Sequence, residues 1–264
     1  MSFVDHLEVL RWHLVRSVSA ILVVAIVAFL NKRFVFDVII LAPKNVEFIT
    51  YKMFCLLSQK LQLGEALCIE EIPFVVSNIQ MTGQFTKHIL VSVVLGIVVA
   101  SPYIIWEIWR FVKPGLHKSE KKYTKAVVFW TSFLFISGVL FGYYLITPLS
   151  INFLGSYQVS EEVSNQITLG SYISTITMLT LTCGLIFELP LGVYFLSKIG
   201  LITPKLMRTY RKHSIVTILA LAAIITPPDV VSQLLISFPL LLLYEISIHI
   251  SAAVVKKSKI GDDD

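Results

Sequence analysis

The sequence predicts an all-α, polytopic membrane protein of six transmembrane helices, the last two short, with both termini cytoplasmic. Three observations carry this. Hydrophobic residues make up 56% of the 264 and charged residues only 15%. Mean hydropathy is +0.79, which leaves too little polar surface for a soluble globule. Apolar runs of about 20 residues, enough to cross roughly 30 Å of hydrocarbon, alternate with charged segments. The net charge is +5, but the cations sit at the ends of apolar runs rather than along one face. That is the pattern of membrane topology, not of nucleic-acid binding. The three cysteines lack paired spacing, so no metal site or cofactor is expected.

A single domain over 1–255 is predicted, followed by a cytoplasmic tail at 256–264. Residues 1–16 read as a short amphipathic helix along the membrane surface, with Phe3, Leu7, Leu10 and Leu14 at helical spacing among Asp5, Glu8 and Arg11. The first span, Val18–Leu30, is retained because no small-residue cleavage site follows it. The long outer loop covers 32–84. Within it, Phe48–Leu63 carries an apolar helical face at Ile49, Met53, Leu56, Leu57 and Leu61. Cys55 and Cys68 share this loop. A disulfide in an oxidising exterior and two buried thiols are both open readings.

The second span runs from Phe85 to Trp109, with Pro102 as a kink near its inner end and Glu107 within reach of the interface. The third, Thr124–Leu149, places Gly138 and Gly142 at the spacing that lets another helix approach closely. The fourth covers Tyr172–Ser197. The last two, Ser214–Ile225 and Val230–Tyr244, flank the turn Thr226-Pro227-Pro228-Asp229. At the helical rise the first of them covers only about 18 Å. A locally thinned bilayer and a re-entrant hairpin both fit.

Sidedness follows from charge. Trp109–Lys125 holds Arg110, Lys113, Lys118, Lys121, Lys122 and Lys125 against the single acid Glu120, and faces the cytoplasm by the positive-inside rule. Lys198, Lys205, Arg208, Arg211 and Lys212 mark a second inner loop. The outer loop Ser150–Ser171 has Glu161 and Glu162 and no base. Phe111 and Glu120 are either an interfacial anchor and a charge-balancing acid, or a docking site for a partner bearing arginine. Glu188 lies well inside the fourth span, where an ionisable group is costly and faces a bundle interior or cavity. Pro190 frees the carbonyl of Ile186, and Thr177, Thr180, Gly184 and Glu188 share one helical face. Interhelical hydrogen bonding and a functional polar site are the two readings of that stripe. Asp229 either caps the last helix or acts in the outer turn.

Four segments occur in order: HLEVLR at 6–11, WRFVKPGLHKSEKK at 109–122, FELP at 187–190 and ITPPDVVSQ at 225–233. On these the chain resembles the TatC family of twin-arginine protein translocase subunits over nearly its whole length. The resemblance implies a receptor, not an enzyme, for the twin-arginine signal peptides of folded proteins. It implies a prokaryotic inner membrane, TatA-like and TatB-like single-span partners, self-association, and the proton-motive force as the energy source. It places signal contacts at Phe111, Glu120, Glu8 and Arg11, an intramembrane polar position at Glu188, and an outer-turn position at Asp229. The family pattern sets its glutamate directly before Leu-Arg. Here Val9 stands there and Glu8 one place earlier, a rotation of about 100° on a helix. The chemistry agrees, because arginine is a planar fork that carboxylates bind bidentately whereas lysine is a point charge. A small proton-coupled transporter using Glu188 is the alternative. Only the fourth span has the Glu-Pro arrangement, whereas transporters tend to repeat such breaks.

Overall fold

The computed structural model describes residues 3–62, 68–69, 74–115, 124–160, 165–225 and 230–262. Apolar sequence inside a membrane must satisfy its own backbone polar groups, and helices do so within one segment. In chain order the helices are α1 (Phe3–Leu30), α2 (Ile49–Lys60), α3 (Gly83–Val112), α4 (Thr124–Phe141), α5 (Thr147–Ser156) and α6 (Leu169–Ile186). They continue with α7 (Leu189–Lys198), α8 (Pro204–Thr209), α9 (Arg211–Ile225) and α10 (Val230–Asp262). Two π-helical turns, Phe34–Ile40 and Gly142–Ile146, interrupt the α geometry. Among the described residues, five segments are long and apolar enough to cross a membrane: Leu7–Leu30, Gly83–Val112, Lys125–Ser156, Leu169–Lys198 and Gln233–Lys256.

Two expectations change here. The last apolar run does not stop at Tyr244: α10 is 33 residues long, so of the final pair only the 15-residue α9 is short. The helix runs on through Glu245, which pairs with Arg211 at 2.8 Å. At the other end α1 continues without a break past residue 16, so the anticipated surface segment and the first span form one rod. By its internal contacts the chain divides into two compact units, Met1–Ile136 with Ile151–Thr177, and Ser137–Ser150 with Met178–Asp264.

In the first unit, α1 and α3 pack along each other and Pro102 sits inside α3 without ending it. A core of Val35, Ile40, Val91, Ile151 and Ile173 collects around Tyr172, whose hydroxyl donates to the Ile40 carbonyl at 3.0 Å. Two three-residue strands, β1 (Val75–Ser77) and β2 (Gln166–Thr168), pair in parallel with Val76 opposite Ile167. Cys55 and Cys68 form a disulfide, which resolves the two readings of those thiols. The apolar stripe of α2 points outward. Ile49, Met53, Leu56, Leu57 and Leu61 are all exposed, while Thr50, Tyr51 and Ser58 are buried. What seats the helix is Tyr51, whose hydroxyl donates to the Pro43 carbonyl at 2.9 Å. Burial pushes that phenol above its ordinary range.

In the second unit the core gathers Ile146, Leu179, Cys183, Ala222 and Leu240. The GxxxG pair does what its spacing suggests. A Cβ at Gly142 would lie 2.9 Å from Cys183 Cβ and 3.0 Å from Thr180 Cα. One at Gly138 would lie 2.5 Å from the Cys183 carbonyl oxygen. Replacing Gly142 with valine should therefore destabilise the protein by about 1–3 kcal/mol, because backbone cannot yield as a side chain can. A thermal melt in detergent should show a lowered Tm; an unchanged one would remove the close approach from the account.

Candidate functional site

The end of α3 that leads into the basic segment is built against α1. Gly96 makes this possible: a Cβ there would stand 2.7 Å from the Ile21 carbonyl oxygen and 3.3 Å from Ala25 Cβ. Further along the same seam, Glu107 of α3 is 1% exposed, and His13 of α1 donates from Nδ1 to its Oε2. Tyr103, one turn earlier on α3, hydrogen-bonds the same carboxylate, and the charge of Arg16 acts on it from α1. The His13 ring stands edge-on to Phe111, with centroids 6.0 Å apart. Phe111 is thus half-buried against α1 rather than a free anchor.

Glu8 and Arg11 lie on the exposed face of α1, and Arg11 sits over the Trp12 ring at 5.6 Å. Val9 and His13, one turn apart, occupy the half-buried face. The structure joins Phe111 to α1 through His13. Glu120 and Asp229 lie outside the described residues.

The second candidate centres on Glu188. Pro190 has no N–H for the Ile186 carbonyl, so the fourth span breaks at Phe187–Glu188 and restarts as α7. Glu188 becomes the residue before that restart, its carbonyl accepting from Leu191 N at 3.1 Å and Gly192 N at 3.0 Å. Both its carboxyl oxygens are buried. Thr177 and Thr180 are buried on α6, and the Thr177 hydroxyl donates to the Ile173 carbonyl at 2.8 Å. Thr177 and Thr180 belong to α6, and the break at Phe187–Glu188 leaves Glu188 just beyond the end of that helix. Phe187, next in sequence, lines an apolar groove of about 720 Å³ with Phe141, Leu145, Leu234, Phe238 and Leu242.

Sequence reading singles out Glu107 only as reaching the interface and passes over His13, which it leaves in the segment before the first span. In the structure the first apolar segment begins at Leu7, so it holds one histidine and the second apolar segment one acid. An ionisable group in a span implies a partner, and each is the other's.

Comparison with known proteins identifies the family. The chain matches the family described as Sec-independent protein translocase protein (TatC) over residues 5–239. It is 37% identical over 258 residues to the Sec-independent protein translocase protein TatC of Blattabacterium sp. subsp. Periplaneta americana, covering 97% of each chain. To the TatC of Carboxydothermus hydrogenoformans it is 33% identical over 263 residues, 99% of this chain and 97% of that one. A crystal structure of the twin-arginine translocase receptor TatC superposes with a TM-score of 0.70 at 30% identity, over 95% of this chain and 99% of that one.

The α1–α3 pair is open to a double-mutant cycle. His13→Leu and Glu107→Leu each strand a buried polar partner, so the double variant should be more stable than the sum of the two losses predicts. A coupling of about 1–3 kcal/mol is expected from thermal or chemical unfolding. Simple additivity would mean the two side chains do not hold the helices together.

Proposed function

The chain belongs to the TatC family of protein translocase components, and we propose that it acts there as the receptor for twin-arginine signal peptides. As a family member it is a multi-pass protein of the inner membrane, a part of the Tat translocase and not an enzyme. The finer reading rests chiefly on one observation. The inner end of α3 brings Phe111 to the buried His13–Glu107 pair, and a strongly basic stretch follows it in the sequence.

Two kinds of feature support the cytoplasmic side for that end. Basic residues cluster there and in the stretch after α7. The Cys55–Cys68 disulfide sits in the loop between α1 and α3, at the opposite end of both helices, as an oxidising exterior requires. In this reading the signal's arginines meet carboxylates at the inner surface, Glu120 and Glu8 among them, with Arg11 and Phe111 lining the approach. A guanidinium fork can satisfy a carboxylate bidentately, so Arg-Arg binds where Lys-Lys does not.

Glu188 serves a later step. The apolar groove beside Phe187 accepts a hydrophobic helix, either that of the signal or that of a TatA-like or TatB-like single-span subunit. The buried carboxyl of Glu188, next in sequence to Phe187, supplies a polar contact for that helix, and Thr177 and Thr180 are the buried hydroxyls of α6. Asp229 belongs to the outer turn between α9 and α10. Self-association completes the working complex, and the proton-motive force drives it.

A photo-crosslinker placed at Phe111 should capture an Arg-Arg signal and lose it when both arginines become lysine. Equal capture of the two would return this end of α3 to topology alone. Glu188→Ala should leave that crosslink intact while stopping export of a folded substrate in cells. Export at the normal rate would remove Glu188 from the pathway.

A further inference from the structure

Among the described residues Glu107 is the one fully buried acid, at 1% exposure. It lies one helical turn before Phe111, so the two share a face of α3. His13 covers that face from α1 and touches both, by its Nδ1 hydrogen bond to Glu107 and by its ring edge to Phe111. At 12% exposure His13 is the outer member of the pair. Among the residues whose burial is described, the half-buried face of α1 presents Val9 and His13 here, while Glu8, Arg11 and Trp12 face outward.

We propose that Glu107 is a guanidinium site for one arginine of the signal, and that His13 holds it as an internal hydrogen-bond donor until the signal arrives. This rests on the receptor reading above and adds a residue to it. A buried carboxylate needs a cationic or hydrogen-bonding partner, since leaving it alone in a low-dielectric interior is costly. His13 supplies one N–H to one oxygen. A guanidinium supplies two in one plane and matches both oxygens. Exchanging histidine for arginine keeps the carboxylate partnered and gains a hydrogen bond. Exchanging it for lysine gains no second bond and strips a more strongly hydrated ammonium of its water. The site thus favours arginine through geometry as well as charge. Tyr103 and Arg16 remain with the carboxylate throughout, which keeps its orientation.

The test uses the full chain in lipid nanodiscs, with a synthetic twin-arginine signal peptide and its Lys-Lys counterpart titrated by calorimetry. Glu107→Gln keeps the size and removes the charge. It should lower affinity for the Arg-Arg peptide by about 10- to 100-fold, with little change for Lys-Lys. His13→Arg installs an internal guanidinium that does not leave readily. It should lower Arg-Arg affinity about tenfold while keeping the buried carboxylate paired, so a loss there is not a folding defect. If Glu107→Gln fails to fold, His13→Arg decides alone. Wild-type affinity in both variants, with the wild type still preferring Arg-Arg, would overturn the exchange and leave the receptor reading standing. Loss in Glu107→Gln alone would also overturn the exchange. No preference for Arg-Arg in the wild type would overturn both.

Discussion

Hydrocarbon gives packed helices no hydrophobic reward, so contact between them depends on how near their backbones can come. Three glycines meet that demand. Gly96 seats α1 against α3, while Gly138 and Gly142 seat the third span against α6. Each leaves so little room that a methyl group would meet backbone atoms. The consequences reach the polar sites. Because Ile21 and Ala25 lie on Gly96, the antiparallel seam carries His13 to Glu107 and Phe111 further along. Because Gly142 lies on Thr180 and Cys183, α6 is held closely where it approaches its break. Small residues set the register, and the register sets which ionisable groups meet.

The two buried acids are handled differently. Glu107 has a histidine brought to it by a neighbouring helix, a pairing that ties α1 to α3 as well as partnering the carboxyl. Glu188 sits at a fracture in its own helix, where a proline has opened the hydrogen-bond ladder and the backbone turns. The first arrangement stiffens a seam. The second places a buried carboxyl next in sequence to Phe187, which lines an apolar groove.

Much of this was legible from composition and charge. The second, third and fourth spans, the basic segment after α3, the close-packing glycines and the odd carboxylate at Glu188 all follow from local patterns. What was not legible depends on distance. Strands of three residues, such as β1 and β2, are too short to show alternation, and their parallel pairing joins segments far apart in sequence. The His13–Glu107 contact likewise needs two helices to be in register. Glu245 looks like the end of a span until Arg211 is found beside it. The stripe of α2 was visible as a stripe, but periodicity cannot say which way it faces.

The cystine between Cys55 and Cys68 has a use apart from stability. It joins two residues of a single loop, 13 positions apart, so it forms without any other chain. On the receptor topology, a copy whose loop never crossed the membrane would keep both sulfurs reduced in the cytoplasm. The third cysteine, Cys183, is buried. The ratio of thiol to disulfide at the first two therefore counts correctly inserted molecules in any preparation. The chain carries its own insertion gauge, readable by a mass shift or an alkylating tag before any transport is attempted.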